Sequence, residues 1–376
     1  MTLRDAARAA CVSLAFRPSW RCYYPNLTFN SQTIGLSRDD MHFTHKVDQV
    51  LEQHSGIGVK TFEIDCSCGK LKAYEAYEYL HRWLQKVVTP GIEKLTLVMR
   101  ENEPVYFPCP VLSNGNGSSI WVPSSQLCCF GAVETQEMLP DNLPKDTFPA
   151  AATQLPAGDR VEFLLGESLR LKKLDVLCYL FLRYALDELP SIAPNLETLS
   201  IYSWCEVVNT TLMLSPSKFL YLKYLSIYVN GFCDCLSLVY FLGAAPSLET
   251  FKLRVPIQLL QSIDELLSED PSHLRQIPGY RHDKLRRVSI CRFPCSKSVV
   301  ELTSHILENS ASLECLTLST TNDSFRCSDD QSAKCSCSIG PMEAHKAALV
   351  IERYIKGKVP STVQLDVVEP CMQPLP

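Results

Sequence analysis

The sequence predicts an α/β solenoid, a curved parallel sheet backed by helices on its convex side, on three observations. First, Asn195-Leu-Glu-Thr-Leu-Ser-Ile, Tyr221-Leu-Lys-Tyr-Leu-Ser-Ile and Ser247-Leu-Glu-Thr-Phe-Lys-Leu all read apolar-x-x-apolar-x-apolar, and their leading residues Leu196, Leu222 and Leu248 recur every 26 residues. Second, the closing apolar-x-apolar pair has the period of two expected of a short strand with one buried face. Third, helically spaced apolar residues lie between the strands, so the unit is strand then helix. One such unit cannot bury its own apolar face, so the units must stack. Self-similarity at about 20–29 residues with this pattern is the signature of the leucine-rich repeat.

Taken in order, residues 1–30 read as a small N-terminal helical cap. Residues 3–16 are Ala-rich, Pro18 interrupts them, and Trp20 and Pro25-Asn-Leu-Thr-Phe follow. Residues 40–99 hold the first repeats. A helix over 40–54 places Phe43, Val47, Val50 and Leu51 on one face and stops at Gly56 and Gly58. The strand Val59-Lys-Thr-Phe-Glu-Ile follows, then a helix over 74–88 with Tyr77, Leu80, Leu84 and Val87 in register. Ile92-Glu-Lys-Leu-Thr-Leu repeats the strand 33 residues after Val59. Residues 100–158 lose the pattern. Gly115-Asn-Gly-Ser-Ser and Pro140-Asp-Asn-Leu-Pro are turn chemistry, so the interval is expected to be an irregular or disordered insert.

The main array, 159–320, resumes at Leu171 and continues through Leu196, Leu222, Leu248, Leu285 and Leu313, at intervals of 25, 26, 26, 37 and 28. The long interval marks an enlarged repeat with Pro271, Pro278 and Gly279 in its loop. Convex-side helices are expected over 234–243, 257–268 and 298–309, the last with Val299, Leu302 and Ile306 inward. Residues 321–376 begin with a Ser-, Asp- and Cys-rich loop. They end in a cap helix over 342–355, with Ala347, Leu349, Val350 and Tyr354 on one face, and a strand from Ser361.

Hydrophobic content of 46% with 20% charged residues belongs to a folded chain. The net charge of −5 gives no general pull toward nucleic acid. Leu174–Leu182, the densest apolar run, is too short to span a bilayer and contains Asp175. The N-terminus lacks the charged-then-apolar order of a signal peptide. The expectation is therefore a cytoplasmic or nuclear protein with neither a membrane nor a nucleic-acid partner. Its 18 cysteines, scattered into apolar strands as at Cys291 and Cys315, are expected to be reduced.

No catalytic signature is present. His-Glu-x-x-His, Gly-x-Ser-x-Gly and the Gly-x-x-x-x-Gly-Lys phosphate loop are all missing, so the protein is expected to be no enzyme and to need no cofactor. The pairs Cys66-Ser-Cys68, Cys233-Asp-Cys235 and Cys335-Ser-Cys337 are spaced more tightly than the two to four intervening residues usual at zinc. Cys327 with Cys335 and Cys337 could make three ligands, with His345 a fourth, and exposed loop thiols explain the same residues. No metal is expected.

What a solenoid offers is a surface. Residues between and after the inward leucines point out from the concave sheet. These are Thr198, Ser200 and Tyr202 on one repeat, Tyr224, Ser226 and Tyr228 on the next, then Thr250, Lys252 and Arg254, and finally Arg287 and Ser289. Tyr202 and Tyr228 are equivalent positions leading to Arg254, and Tyr and Arg are enriched where binding energy concentrates. The expected target-binding surface is Thr198, Ser200, Tyr202, Tyr224, Tyr228, Lys252, Arg254 and Arg287.

Leu3-Arg-Asp-Ala-Ala-Arg-Ala-Ala-Cys-Val-Ser13 and Trp20, followed by the repeats, resemble the later two-thirds of a plant F-box. Lys284–Leu318 with the C-terminal tail resembles the FBD region that ends many plant F-box/leucine-rich-repeat proteins. The family motif opens upstream with a Leu-Pro pair and an apolar helix that a chain starting at Met1 does not show, so the F-box reads as truncated. The resemblance implies docking on a Skp-type adaptor, and through it a cullin, by Leu3, Ala6, Ala7, Val12 and Trp20. It implies the substrate-recognition subunit of an SCF-type ubiquitin ligase, with an unknown target protein held by the repeats. The alternative is a repeat scaffold that no longer joins a ligase.

Overall fold

The computed structural model describes residues 25–34, 43–54, 58–68, 73–89, 91–99, 170–177, 181–204, 218–230, 234–255, 273–277, 279–293, 296–320 and 341–368. Among them, ten strands form one parallel sheet whose spatial order is the chain order. They are β1 (Asn26–Phe29), β2 (Thr61–Asp65), β3 (Lys94–Val98), β4 (Lys173–Leu177), β5 (Thr198–Trp204), β6 (Tyr224–Asn230), β7 (Thr250–Arg254), β8 (Arg287–Cys291), β9 (Cys315–Ser319) and β10 (Gln364–Val368). Each strand pairs only with its sequence neighbours, which is the α/β leucine-rich-repeat architecture expected.

The register explains the sequence pattern. Leu199 aligns with Leu225 and Phe251, and Ile201 with Ile227 and Leu253. All six are fully buried. The leading leucines also turn inward: Leu196, Leu222 and Leu285 are almost wholly buried. The amide of Leu196 donates to the Ala193 carbonyl at 3.2 Å, and Leu248, Leu285 and Leu313 repeat that i to i−3 turn with Ala245, His282 and Ser310. Each repeat therefore supplies one turn-borne and two strand-borne apolar side chains. Each of these is worth about 1.5–3 kcal/mol when buried.

The helices lie on the buried side of the sheet. They are α1 (Ser31–Ile34), α2 (Phe43–Gln53), α3 (Ala73–Val87), α4 (Phe181–Asp187), α5 (Leu189–Ile192), α6 (Val239–Ala244), α7 (Lys297–Asn309) and α8 (Pro341–Val350). Asn30 caps α1, its Oδ1 accepting from the Gln32 and Thr33 amides at 3.0 and 2.9 Å. Phe43, Val47 and Leu51 of α2 are buried and Val50 is half-buried, as the spacing predicts. Asp48 ties α2 to α3, accepting from Trp83 Nε1 at 2.7 Å and from Arg82. The helix expected over 234–243 is a 3-10 turn, Cys235–Leu238, running into α6. Asp234 caps that turn, accepting from the Leu236 amide at 3.3 Å.

Four features bear on the expectations, two of which change. Asn26–Phe29 belongs to the sheet, with Leu27 and Phe29 fully buried and paired to Phe62 and Ile64. The array thus begins before residue 40, and these residues are not part of a helical cap. The reason is that a four-residue strand offers only two inward positions, too few for the longer repeat pattern. Second, the sheet passes directly from β3 to β4, with Lys94 aligned to Lys173, so the interval 100–158 interrupts the sequence pattern without interrupting the sheet, as expected of an insert. Third, Leu349 is 44% exposed. After α8 the helix widens into a π-helical turn, Ile351–Ile355, and the buried face runs Ala347, Val350, Ile351, Tyr354 and Ile355. Leu349 sits two residues from Ala347, about 200° around the helix, so it could not share that face. Fourth, the strand expected from Ser361 is present as β10, a tenth rung in register with β9.

Within the enlarged repeat, Arg275 straps the loop to the helical side. Its backbone amide and Nε donate to Glu301 at 2.8 and 2.9 Å, and its Nη1 and Nη2 donate to Asp234 at 2.8 and 2.9 Å. The Glu301 side chain is wholly buried.

Candidate functional site

The open face of the sheet carries the predicted surface residues, and the register fixes their layout. Thr198, Tyr224, Thr250 and Arg287 share one row across β5–β8. Ser200, Ser226 and Lys252 share the next, and Tyr202, Tyr228 and Arg254 the third. Strands of this kind lie about 4.8 Å apart, so each row is a line of near neighbours. Tyr202 is 39% exposed, Lys252 and Arg287 are exposed, and Tyr224, Tyr228 and Arg254 are half-buried by their neighbours.

The aromatic rings hold the cations. The Tyr202 and Tyr228 centroids are 5.7 Å apart. Arg254 lies 5.9 Å from the Tyr228 ring centre and Lys252 lies 5.8 Å from that of Tyr224. Such contacts are worth about 0.5–1 kcal/mol at an exposed site, enough to bias side-chain position while leaving N–H donors free. All eight residues expected on this surface therefore sit on one face. Six of them, Tyr202, Tyr224, Tyr228, Lys252, Arg254 and Arg287, form its aromatic and cationic part.

The rest of the face is differently composed. On β2–β4 both lysines are paired within the sheet: Lys94 with Glu63, and Lys173 with Asp175 at 3.4 Å. Lys252, Arg254 and Arg287 have no ion pair among the described residues.

One organised feature escaped the sequence reading. The residue before each of β2–β9 alternates in sign: Lys60, Glu93, Lys172, Glu197, Lys223, Glu249, Arg286 and Glu314. Their backbones form a continuous ladder. The Glu197 carbonyl, for example, accepts from the Lys223 and Tyr224 amides at 2.9 and 3.1 Å. Side chains pair along the same line, Lys172 with Glu197 at 3.2 Å, Lys223 with Glu197 at 3.8 Å and Arg286 with Glu314 at 3.5 Å. The signal was available, because each of these residues immediately follows a leading apolar residue or the x next to it. It becomes visible only when repeats of unequal length are aligned by register.

The site for the adaptor, Leu3, Ala6, Ala7, Val12 and Trp20, lies outside the described residues, as do the helix expected over 257–268, the interval 100–158, and Cys327, Cys335 and Cys337. Cys66, Cys235 and Cys291, all buried, and the half-buried Cys315 are in no disulfide. Among the described residues no group of three or more His, Cys, Asp or Glu is placed to hold a metal ion. No described helix is long and apolar enough to cross a membrane. A cleft of about 460 Å³ opens at the loops before β9 and β10, between Arg281, Glu308, Asn309 and Pro360, away from the open face.

Two buried histidines form the remaining titratable cluster. His282 Nε2 and His305 Nε2 are 3.2 Å apart, so one ring donates and the other accepts. Burial, and then the neighbouring His305, push the His282 imidazole down to about 4, and burial lowers His305 as well. The pair is a neutral structural contact between the enlarged repeat and α7.

A family model for the LRR domain of At1g61320/AtMIF1 matches residues 50–140 and 151–372, well over half of the chain. The match runs into the interval 100–158, where the repeat pattern is lost. It describes repeats, with neither an F-box nor an FBD in its description. No curated protein and no solved structure matches the chain.

Proposed function

This chain belongs to the At1g61320/AtMIF1 leucine-rich-repeat family, and from that premise we propose that it holds a target protein on the open face of β5–β8 and catalyses nothing itself. A leucine-rich-repeat domain supports a protein-interaction role. The observation that carries the finer reading is the line Tyr202–Tyr228–Arg254, an aromatic pair continued by a stacked cation on an uncovered face. Rigid aromatic anchors and arginine are the residues on which interface energy concentrates.

The stretch from Leu3 to Ser13 with Trp20 supports a second role for the N-terminus, docking on a Skp-type adaptor through Leu3, Ala6, Ala7, Val12 and Trp20. The chain then acts as the recognition subunit of an SCF-type ubiquitin ligase in the cytoplasm or nucleus. Its contribution is proximity, raising the effective concentration of target near the ubiquitin-charged enzyme. The test is co-elution of the purified chain with a recombinant Skp-type adaptor. A stable complex that Ala7→Asp abolishes supports ligase membership. Failure to co-elute removes the ligase role and leaves the repeat scaffold as the reading.

A further inference from the structure

We infer that the open face of β5–β8 takes an acidic, extended segment of the partner protein, its carboxylates on Lys252, Arg254 and Arg287 and an apolar or aromatic side chain on the Tyr202–Tyr228 pair. This rests on the reading that the open face is the interaction surface, and adds the chemistry of what binds there.

The chain pairs its other cations on the same face. Lys94 is given Glu63 and Lys173 is given Asp175. The edge row does likewise, pairing Lys172, Lys223 and Arg286 with glutamates. Lys252, Arg254 and Arg287 break that habit. The three aligned outward rows that cross β5–β9 hold Thr, Ser, Tyr, Cys, Lys and Arg and not one carboxylate, although the chain as a whole is acidic at −5. The face is therefore locally cationic within an acidic protein, with carboxylates at its margins on β2, β4 and β10.

The three cations are also arranged. Lys252 and Arg254 point the same way from one strand, two residues apart, and Arg287 stands on the next strand in line with Thr250. Two are stacked on tyrosines rather than bound by acids, which positions them without using up their charge. Tyr202 on β5 and Arg287 on β8 lie three strand spacings apart across the sheet and four residues apart along it, a diagonal of about 19 Å. An extended segment of about six residues covers that length.

A protein segment fits better than a nucleic acid. Three cations neutralise few phosphates, whereas phosphate-driven binding draws on about 6–10 such contacts. The marginal carboxylates, Glu63, Asp65, Asp175 and Asp366, would repel a long polyanion and are passed by a short one. Carboxylates spaced along an extended chain match forked guanidinium donors.

The experiment selects from a random displayed peptide library on the full chain, on Tyr228→Ala and on the charge reversal Lys252→Glu with Arg254→Glu. A single-stranded oligonucleotide serves as competitor, and each variant's melting is checked. The expected result is enrichment of peptides that combine Asp or Glu with an aromatic residue. Their affinity should fall about tenfold or more in the charge reversal, equivalent to about 1.4 kcal/mol, and their binding should weaken in higher salt. Selection of neutral or basic peptides that still depend on Tyr228, or displacement of every peptide by the oligonucleotide at equal charge, overturns the acidic-segment inference while leaving the open face as the binding surface. Selected peptides indifferent to both variants, or no selected peptide at all, overturn both.

Discussion

The two-residue alternation of β6 makes a sharp prediction, because adjacent residues should respond oppositely to one substitution. Leu225 is fully buried, aligned between Leu199 and Phe251. Ser226 beside it is half-buried and faces outward between Ser200 and Lys252. Truncating Leu225 to Ala should cost about 3–4 kcal/mol, within the range of buried Leu→Ala cavities. Neighbouring rungs are themselves held by contact with it, so relaxation into the space is limited. Leu225→Arg adds a buried unpaired charge, whose penalty of several kcal/mol exceeds what most domains hold in reserve. Ser226→Arg should change stability by less than about 1 kcal/mol, since its side chain extends over the open face. The assay is guanidinium unfolding followed by far-ultraviolet circular dichroism, with thermal melts alongside. Because repeat arrays unfold through nearest-neighbour contacts, the Leu225 variants should also broaden the transition. A Leu225→Arg chain that melts like the native one, or a Ser226→Arg chain that unfolds, would refute the register on which the open face is defined.

Three further outcomes follow from the packing. Glu197 sits between Lys172 and Lys223, so Glu197→Lys trades two exposed attractions for two repulsions. The loss should be about 1 kcal/mol and should shrink in 1 M salt, where screening shortens to about 3 Å; a salt-independent loss contradicts the electrostatic origin of the edge row. Arg275→Ala leaves Glu301 buried without its cation and should cost about 3 kcal/mol, with Glu301→Gln recovering part of it in the double variant. If the double variant is less stable than Arg275→Ala alone, the loop is not held by that ion pair. Finally, the His282–His305 pair is neutral when folded. The ordinary imidazole value is about 6.5 and His282 is held down to about 4, so the unfolded chain binds more protons between those values. The pair's contribution is fully present above about 6.5, falls as pH drops toward 4, and amounts to on the order of 3 kcal/mol for His282. Asp283 and Glu308 face the pair and oppose the downward shifts. His282→Gln should flatten the pH dependence of unfolding in that window, and an unchanged slope would place the acid sensitivity elsewhere.

The repeats were legible because Leu196, Leu222 and Leu248 share a period and each strand alternates strictly. Once two strands are aligned, the outward row Tyr202–Tyr228–Arg254 follows from geometry alone. What the sequence concealed had three physical causes. Asn26–Phe29 is too short to show a period, and only pairing with β2 reveals it. The π-turn after α8 changes the helical phase, so an ordinary count of residues from Ala347 does not carry the buried face through Ile351, Tyr354 and Ile355. Glu301, Arg275 and Asp234 are brought together across the enlarged repeat by tertiary packing, which no local spacing records. The alternating edge row stands between these cases, written in the sequence but readable only through the register. The Tyr–cation stacking likewise depends on neighbouring strands, not on any one repeat.

Partners bound on the open face rather than the helical side can be located by photo-crosslinking, with a benzophenone side chain installed singly at Ser226 or Ser289 on that face, or at Glu308 or Lys346 on the helical side. The expected result is partner adducts from Ser226 and Ser289, suppressed by Arg254→Glu, and none from Glu308 or Lys346. Adducts from the helical positions, with Ser226 and Ser289 silent, would overturn the open face as the binding surface.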